Sequence, residues 1–298
     1  MIFVIIPVFN RYSLTRECII SLRKQSYKSF KIIVVSDAST DETDEMLHKE
    51  FPDVILLKGN GNLWWAGSTN LGVKYVLTNS TSISEDFVLT LNNDLVVLED
   101  YFQKLIDFQK ANFPCLVGSV SLDKNNRNFV EFCGIKWNEW LAKQTRIAKK
   151  MNFSYEKLKA SYNIIESDFL SGRGTLIPLK AFKDLGLYDN VNFPQYAGDD
   201  DFSLRAKRNG YKLLLQRDIF VLSHVNETGT NLVRVQYSLN YLKNLFFSIK
   251  SPINLKIRYR FAIKNSRFGI FYFIEDVLRI FASLIRGLIL QPFTKKSS

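Results

Sequence analysis

The first third of the chain alternates short apolar runs with longer segments whose apolar residues recur at helical spacing. The short runs are rich in β-branched residues and bounded by polar ones, so they are predicted to be buried strands. These predicted strands are residues 2–8, 31–35, 54–57 and 87–91. The predicted helices run from a Ser13 cap to about residue 25, over residues 43–50, and from about residue 68 onward. Such alternation predicts a Rossmann-like, doubly wound, mostly parallel α/β sheet.

Polar residues stand immediately after the second and fourth predicted strands. Asp37 follows the second strand, and Asn92, Asn93 and Asp94 follow the fourth. Ligands of open α/β sheets bind beyond the carboxyl ends of the strands, so chemistry is expected at these positions. A single carboxylate with amide neighbours suits Mg²⁺ or Mn²⁺, which take few protein oxygens and complete their coordination with water and substrate phosphates. The same triplet is also typical of an ordinary turn, and the local pattern leaves both interpretations open.

A loop rich in glycine and asparagine, residues 59–72, follows the third predicted strand. Such residues let the backbone approach a ligand closely, and a helix beginning near Ser68 would direct its N-terminus at phosphate. Trp64 and Trp65 lie within this loop. They are expected to form either a hydrophobic plug beneath the loop or a wall of a ligand site.

A second group of polar motifs follows in the other half of the chain. A small-residue loop over residues 169–174 leads into a predicted strand, and Asp199, Asp200 and Asp201 stand at a predicted helix start. Acids are favoured at helix N-termini, so capping explains part of this run. Three neighbouring anions are also costly without a nearby cation or proton, which is typical of a catalytic site. Arg205, one helical turn after Asp201, is expected to pair with it.

The remaining predicted elements are less distinct. Strands are expected within residues 115–140 and helical turns within 141–165, and a helix over Leu179–Leu185 is expected to end at Gly186. His224 follows an apolar run at a predicted strand end. It is either a structural residue or a metal ligand, since neutral imidazole suits Mn²⁺.

Composition narrows the class of protein. The chain has 298 residues, of which 46% are hydrophobic, so it can bury a large core and is not a disordered protein. Its three cysteines are widely spaced and form no CxxC pair, which argues against a zinc or disulfide framework and for a cytoplasmic setting. The first residues are typical of a strand rather than of a signal peptide. No nucleic-acid-binding motif accompanies the basic charge, so nucleic acid is not an expected partner.

The net charge of +11 is concentrated toward the C-terminal end. From Leu232 onward, twelve Lys and Arg residues minus two acidic residues account for +10 of that total. Aromatic and aliphatic residues alternate with these cations, and charges interrupt the apolar stretch 268–290 too often for a membrane-spanning helix. The pattern favours basic amphipathic helices that lie on an anionic membrane surface. Packing of these helices on the domain or on a second subunit is the alternative.

Four motifs follow one another along the first part of the chain. They are Pro7-Val8-Phe9-Asn10, Ser36-Asp37-Ala38-Ser39-Thr40-Asp41, the loop of residues 59–72 and Leu91-Asn92-Asn93-Asp94. Their order and intervals resemble those of family 2 glycosyltransferases of the GT-A fold, and in particular of the rhamnosyltransferase-like enzymes of bacterial surface-polysaccharide synthesis. Gly-Arg-Gly at residues 172–174 followed by Asp-x-Asp-Phe-x-Leu-Arg at residues 199–205 also resembles the acceptor-side motif of the family.

The resemblance implies a role for each motif residue. Asp199 would be the catalytic base and Asp201 the second acid, with Asp200 at the variable position between them. Asp94 would end a metal-binding motif for Mn²⁺ or Mg²⁺, and His224 would contact the metal or the diphosphate. Many relatives carry two acids in this motif, whereas here Asp94 is its only carboxylate. The residues expected to bind the nucleotide sugar are Pro7, Phe9, Asn10, Asp37, Asn62, Trp65, Gly67, Asn70, Asn92, Asn93, Gly172 and Arg173.

The expected organisation is a GT-A domain over residues 1–230, followed by a basic amphipathic helical tail over residues 231–298. Residues 1–112 would bind the nucleoside-diphosphate sugar and residues 113–230 the acceptor. The expected function is inverting transfer of a hexosyl or deoxyhexosyl group to a glycan acceptor, lipid-linked, by a cytoplasmic enzyme held peripherally on the inner face of the plasma membrane. Homo-oligomerisation is left open.

Two other functions remain as alternatives. One is a nucleotide-sugar-binding or scaffold protein without catalysis, which the single carboxylate of Asn92-Asn93-Asp94 permits but the acids at 199 and 201 disfavour. The other is a nucleotidyltransferase, which also combines a doubly wound sheet with Mg²⁺ and nucleotide. Such an enzyme normally has a glycine-rich basic loop directly after its first strand, and Phe9-Asn10-Arg11-Tyr12 is not one.

Overall fold

The computed structural model describes residues 1–225 and 239–290. These residues form twelve strands and eleven helices. The strands are β1 (Ile2–Val8), β2 (Phe30–Ser36), β3 (Ile55–Lys58), β4 (Phe87–Thr90), β5 (Leu95–Val96), β6 (Cys115–Asp123), β7 (Val130–Phe132), β8 (Ile135–Asn138), β9 (Lys143–Arg146), β10 (Ile164–Glu166), β11 (Thr175–Pro178) and β12 (Lys212–Ser223). The helices are α1 (Tyr12–Arg23), α2 (Thr43–Glu50), α3 (Trp64–Asn79), α4 (Tyr101–Ala111), α5 (Ile147–Lys150), α6 (Tyr155–Ser161), α7 (Leu179–Leu185), α8 (Gly198–Arg208), α9 (Leu239–Phe247), α10 (Leu255–Asn265) and α11 (Ile270–Leu290).

Ten of these strands form one mixed sheet. Its order is β10-β12-β6-β11-β4-β1-β2-β3, with β5 paired to β12 and β7 paired to β6. β1 is parallel to β2 and β4, β2 is parallel to β3, and β6 is parallel to β12. β11 runs antiparallel between β4 and β6. The predicted mostly parallel α/β sheet is confirmed, and β8 and β9 form a separate two-stranded hairpin.

Helices cover both faces of the sheet. Because side chains alternate along a strand, Phe3 and Ile5 of β1 enter one core while Val4 and Ile6 enter the other. The first core includes residues of α3, α7 and α8, and the second includes residues of α1, α2 and α4. Strands that are buried on both faces are near-continuous apolar runs, which is why the sequence pattern located them.

Two stretches differ in detail from the predicted pattern. α1 begins at Tyr12, after Arg11 in the left-handed conformation with φ of 64°, and no side chain caps it. Ser13 is therefore not the cap that was predicted. Residues 141–165 contain the strand β9 and part of β10 as well as two short helices, so the helical leaning of their sequence is only partly realised.

The start of α3 also differs, and its cause lies in another element. The helix begins at Trp64 rather than near Ser68. The carboxylate of Asp37 accepts hydrogen bonds from the backbone N–H groups of Leu63 and Trp64. An acceptor that caps a helix from outside its own sequence leaves no local signal at the helix start.

The chain divides into two compact units. The sheet unit comprises Met1–Lys136 and Thr145–Val233, and the helical unit comprises Trp137–Gln144 and Arg234–Ser298. The hairpin of β8 and β9 thus contributes its tip to the helical unit. The domain boundary expected near residue 230 lies outside the described residues and stays a prediction.

Ion pairs and aromatic contacts hold the helical unit together. The buried carboxylate of Asp276 in α11 pairs with Arg258 of α10 at 2.5 Å and with Arg279 at 3.0 Å. Trp137 of the hairpin donates its indole N–H to the hydroxyl of Tyr272 at 3.1 Å. In the part of the chain that the structure describes, no helix combines the length and apolarity needed to cross a bilayer.

Candidate active site

The carboxyl ends of β1, β2, β3 and β4 lie along one edge of the sheet, because these strands are parallel. The polar motifs singled out from the sequence follow these ends. β12 runs in the same direction and pairs with β5, which follows the fourth strand. The backbone N–H of His224 accordingly donates to the carbonyl of Asp94 at 3.1 Å. The two residues predicted to contact a metal therefore lie side by side.

Both carboxylate oxygens of Asp37 are engaged by the loop that follows β3. Oδ1 accepts from the backbone N–H of Gly61 at 2.7 Å, and Oδ2 accepts from Leu63 at 2.8 Å and Trp64 at 3.1 Å. A Cβ atom on Gly59 would stand 2.4 Å from Oδ1, so this position requires glycine. Asp37 is buried and shapes the loop. Its expected contact with a nucleotide base stays a prediction.

The end of β1 is tied to the end of β2. Asn10 has a φ of 59°, its side-chain oxygen accepts from the backbone N–H of Thr40 at 2.9 Å, and its own backbone N–H donates to the hydroxyl of Ser39 at 3.0 Å. Phe9 is 58% exposed beside it, and Pro7 is partly buried within β1. An exposed aromatic ring at this edge is available to stack on a planar ligand.

Asp94 is as buried as Asp37 but is bonded differently. Its side chain has an oxygen, Oδ1, that is buried and finds no hydrogen-bond partner within residues 1–225 and 239–290. Burial raises the pKa of this carboxyl, and the nearby guanidinium of Arg173 opposes the rise. Buried polar atoms are almost always paired, so an unpaired one points to a ligand or an ion.

The residues at this point fit a divalent cation. A carboxylate oxygen is the type of ligand that Mg²⁺ and Mn²⁺ prefer, and the imidazole of His224 suits Mn²⁺. Among the described residues, no group of three or more His, Cys, Asp or Glu side chains is arranged to hold a metal ion. The protein would supply Asp94 and His224 alone, and substrate phosphates with water would complete the coordination.

Two residues from distant parts of the chain hold the imidazole of His224. Its Nε2 lies 2.9 Å from Oε2 of Glu17 and 3.3 Å from Nζ of Lys124, and Lys124 also pairs with Glu17. Partial burial alone would raise the pKa of the Glu17 carboxyl, but hydrogen bonds and charge from Lys124 and His224 lower it. This network fixes the ring next to the strand end that carries Asp94.

A second acid fixes Arg173. Nη1 of Arg173 donates to Oε1 of Glu131 at 2.7 Å, and Nη2 donates to the hydroxyl of Ser223. Burial alone would raise the pKa of the Glu131 carboxyl, but the charge and hydrogen bonds of Arg173 lower it. The guanidinium is therefore held close to Asp94, where its charge can act on an anionic ligand.

Trp65 connects the end of β4 to the loop before β11. Its indole N–H donates to the side-chain oxygen of Asn92 at 3.1 Å, and its ring packs edge-on against Tyr188 with centroids 5.2 Å apart. A Cβ atom on Gly172 would stand 2.0 Å from Cζ2 of Trp65, so the contact requires glycine. Trp65 thus packs as a plug would, and its part in donor binding stays a prediction.

Two other amides that were expected to bind the donor support the scaffold. Asn70 exchanges hydrogen bonds with the backbone of Tyr188, donating at 2.8 Å and accepting at 3.0 Å. Asn93 donates to the hydroxyl of Thr15 in α1 at 3.0 Å. Ligand contacts by either residue stay predictions. The remaining predicted binding residues are the buried Gly67 in α3 and the exposed Asn62 in the loop.

Asp199 lies in the first turn of α8, as the sequence predicts. Its Oδ2 accepts from the backbone N–H of Gly172 at 3.1 Å, and Oδ1 accepts from that of Asp200 at 3.1 Å. Burial raises the pKa of the Asp199 carboxyl, and these backbone hydrogen bonds moderate the rise. Burial is the largest cause of this rise in pKa.

Asp201 is fully buried and serves a different purpose from Asp199. Its Oδ2 accepts from Nε of Arg205 at 2.9 Å, so the predicted pairing is confirmed. Arg205 also donates to the backbone carbonyls of Leu185 and Leu187 at 2.7 Å and 2.8 Å. This geometry makes Asp201 an anchor for the loop after α7, and its expected catalytic role stays a prediction.

The sequence did not point to three charged residues of this site. Lys124 directly follows β6, whose end lies at the same edge of the sheet, so the rule that located Asp94 would have located it too. Glu131 is an acid within a short apolar strand, which is a weaker signal. Glu17 lies on the first helix and has no local signal, because its partners are 107 and 207 residues away.

Known proteins share both sequence and fold with this chain. The model of Glycosyl transferase family 2 matches residues 3–185. An uncharacterized glycosyltransferase of Rickettsia typhi is 26% identical over 231 residues, which cover 77% of this chain and 65% of the relative. The GalNAc(5)-diNAcBac-PP-undecaprenol beta-1,3-glucosyltransferase of Campylobacter jejuni is 25% identical over 229 residues, which cover 71% and 70% respectively. The chain thus spans slightly less than two thirds of the Rickettsia protein.

Two solved structures are similar in fold. A mannosyltransferase from Pyrobaculum calidifontis in complex with GDP-Man and Mn²⁺ has a TM-score of 0.54 at 16% identity, over 76% of this chain and 58% of its own. TarS of S. aureus in complex with UDP-GlcNAc has a TM-score of 0.51 at 17% identity, over 74% and 57%. Both are GT-A enzymes, so the expected GT-A fold is confirmed. With a family model that matches more than half of its residues, the chain belongs to glycosyl transferase family 2.

Proposed function

We propose that the chain is an inverting glycosyltransferase that moves a hexosyl or deoxyhexosyl group from a nucleoside-diphosphate sugar to a hydroxyl of a lipid-linked glycan, in the synthesis of a cell-surface polysaccharide. One observation carries this proposal. Asp94 and Asp199 are two carboxyls with raised pKa values, and contacts of Trp65 link the chain segments that carry them. Trp65 donates to Asn92, two residues before Asp94, and packs on Gly172, whose N–H donates to Asp199. Asp94 is suited to the donor side of the reaction, and Asp199 is suited to the acceptor side.

On the donor side, Asp94 and His224 would hold the divalent cation. When bound, such a cation neutralises charge that develops on the departing nucleoside diphosphate. Arg173, held by Glu131, adds a fixed positive charge for the diphosphate. The exposed ring of Phe9 offers a surface for the nucleotide base.

On the acceptor side, Asp199 acts as the general base. It takes the proton from the acceptor hydroxyl while the hydroxyl oxygen attacks the anomeric carbon. The bond between that carbon and the diphosphate breaks in the same step, and its electron pair leaves with the nucleoside diphosphate, so the configuration inverts. The N–H groups of Gly172 and Asp200 hold the two oxygens of Asp199 in place. A raised pKa makes the ionised carboxylate a stronger base.

The lipid-linked acceptor is proposed from the relatives. The Campylobacter jejuni protein is named as a glucosyltransferase for a glycan on PP-undecaprenol. An acceptor of this kind is confined to a bilayer, whereas a nucleotide sugar is soluble. We therefore propose that the enzyme works at the inner face of the plasma membrane, bound peripherally.

Thermal unfolding with ligands tests the donor side. The protein is heated with UDP, dTDP, GDP or CMP, each with and without Mn²⁺. Because a ligand that binds the native state alone raises stability, one nucleoside diphosphate is expected to raise the Tm, and more so with Mn²⁺. The dependence on Mn²⁺ is expected to vanish in Asp94→Asn. Absence of a response to every nucleotide would remove the donor class from the proposal.

Sugar transfer tests the base. Asp199→Asn is expected to lower kcat by at least about 100-fold, since a positioned general base contributes 10²–10⁴-fold, while nucleotide binding is retained. Asp200→Asn is the matched control, because Asp200 is adjacent, acidic and assigned no proton transfer. Equal rates in wild type and Asp199→Asn would exclude Asp199 as the base.

A further inference from the structure

Exposed apolar side chains are concentrated in the helical unit. Among the described residues, eleven of the seventeen exposed large hydrophobic side chains belong to it, although it is much the smaller unit. Isolated exposed apolar residues are normal, but a contiguous patch of them marks an interaction surface. These eleven residues are Trp140, Leu141, Phe247, Tyr259, Ile263, Ile270, Phe271, Ile274, Leu278, Phe281 and Ile285.

The exposed large apolar residues of α11 fall on one face of the helix. Successive spacings of three and four residues place them on a single apolar stripe. The stripe consists of Phe271 (75% exposed), Ile274 (49%), Leu278 (60%), Phe281 (44%) and Ile285 (53%). A helix of a folded protein normally directs its apolar stripe inward, so this arrangement calls for a partner.

The opposite face of α11 is already occupied. Tyr272 and Asp276 are buried there, against Trp137 of the hairpin and Arg258 of α10. The helix therefore cannot bury its exposed stripe by turning over without breaking an ion pair and an indole hydrogen bond. The stripe is available to something outside the unit.

The tip of the hairpin of β8 and β9 also carries exposed apolar side chains. Trp140 is 74% exposed and its ring lies against Phe268, with centroids 4.2 Å apart. Leu141, next to it, is 52% exposed. Tryptophan favours the boundary between water and lipid, because its ring is apolar and its N–H is polar.

The charge of the helical unit indicates whether the stripe is covered by a second copy of the chain or by a lipid surface. Its sequence carries thirteen Lys and Arg residues and three acidic residues, and thirteen minus three gives +10. Two copies that met through this unit would bring like charges together, which disfavours the interface, whereas anionic lipid headgroups attract each cation near the surface. Lys243 and Lys256 are examples of its exposed cations.

We propose that the stripe on α11 is a membrane-docking surface for anionic phospholipid, with α11 lying in the plane of the interface. This inference identifies a lipid-binding surface for the proposed enzyme. It rests on the proposed function in one respect, because a lipid-linked acceptor requires the enzyme to reach a bilayer. Vesicle binding is measured without donor or acceptor. Failure of vesicle binding and failure of sugar transfer are therefore distinguishable.

Co-sedimentation of the full chain with vesicles tests the proposal. Vesicles of phosphatidylcholine with phosphatidylglycerol are compared with vesicles of phosphatidylcholine alone. Binding is expected with the anionic vesicles and is expected to weaken as salt rises, because charges at a surface are screened. The double variant Phe271→Ser with Leu278→Ser is expected to bind at least about tenfold more weakly, because two exposed apolar side chains no longer enter the lipid.

Two further variants complete the design. Phe113→Ser is the matched control, since Phe113 is 65% exposed and belongs to the sheet unit, and it is expected to bind vesicles like wild type. Lys243→Glu with Lys256→Glu changes exposed charges only and is expected to weaken binding to anionic vesicles. It keeps the proposal testable if the apolar variant does not fold.

Two results would overturn the proposal. One is that the folded wild-type chain binds neutral and anionic vesicles equally well, or binds neither kind. The other is a dimer in solution that the double variant Phe271→Ser with Leu278→Ser converts to a monomer while vesicle binding is unchanged. That second result would assign the stripe to a second copy of the chain instead.

Discussion

The ends of β2 and β4 have the same sequence pattern, but the aspartates that follow them are bonded differently. Each is followed by a buried aspartate, Asp37 in one case and Asp94 in the other. Three backbone N–H groups engage the carboxylate of Asp37, whereas an oxygen of Asp94 has no partner among the described residues. The carboxylate of Asp37 builds a loop, whereas we propose that the carboxylate of Asp94 binds a ligand.

The amides before Asp94 explain how its carboxylate stays available. Asn92 accepts from the indole of Trp65, and Asn93 donates to Thr15. These two contacts hold the chain on both sides of the strand end, which is the task that Asp37 performs with its own carboxylate after β2. In the Asn-Asn-Asp triplet the two amides therefore support the backbone, and the carboxylate of Asp94 is left for the proposed ligand.

The contrast between Asp37 and Asp94 is tested most strongly by sugar transfer, where the largest effect is expected. Asp94→Asn is expected to lower kcat by about 10²–10³-fold, in the range seen when a group that stabilises developing charge is removed. The free energy of unfolding is expected not to fall, because no hydrogen bond to Oδ1 is lost. Transfer assays and denaturant unfolding of the same variant measure the two quantities. A large loss of stability would show that Asp94 is a support like Asp37.

The converse variant is expected to act on stability. Asp37→Ala removes the acceptor of three backbone N–H groups, and hydrogen bonds to a charged group contribute about 1.5–3 kcal/mol each. Because the loop can relax toward water, we expect a loss of about 3 kcal/mol in the free energy of unfolding. Urea unfolding measures this loss, and Glu85→Ala at an exposed position is the control. A change within experimental error would contradict the assigned role.

A smaller effect is expected at the supporting amide. Asn93→Ala removes the buried hydrogen bond to Thr15 and is expected to lower the free energy of unfolding by about 1–2 kcal/mol. The Mn²⁺-dependent stabilisation by nucleotide is expected to persist, because Asp94 is unchanged. Its complete loss would mean that Asn93 contacts the ligand directly.

The smallest effect is a dependence on pH. Burial raises the pKa of Asp94 above its ordinary 3.8, so the folded protein favours the protonated carboxyl and bears the cost of a buried charge at higher pH. Asp94→Asn lacks this cost. Its stability relative to wild type is expected to be greatest at neutral pH and to shrink as the pH falls through the folded-state pKa toward 3.8. Unfolding titrations without metal would show a constant difference if Asp94 were not desolvated.

Local patterns were sufficient to predict most of the sheet. β1 and α2 begin and end at the predicted residues, because apolar periodicity and flanking polar residues are local properties of the sequence. The rule that ligands bind beyond strand ends also placed Asp37 and Asp94 correctly at one edge of the sheet. It could not tell that Asp37 is saturated, since its partners Gly61, Leu63 and Trp64 come from another loop.

Long-range partners limited the prediction of the site itself. The network of Glu17, Lys124 and His224 joins an early helix to the ends of β6 and β12. Burial within the fold is the largest cause of the raised pKa of Asp199, and the run of three acids in the sequence does not reveal how deeply each is buried. Which distant residues meet and how deeply a residue is buried are both properties of the tertiary structure, which a motif does not encode.

The helical unit is built from two separate segments of the chain, and this has a consequence for its evolution. The unit draws Trp137–Gln144 from the middle of the sequence and its helices from the end. Exchange of the C-terminal segment between two genes would separate Trp137 from Tyr272 and Glu139 from Arg267. The hairpin and the helices must therefore change together over evolutionary time, so relatives with a different C-terminal segment should differ in this internal hairpin as well.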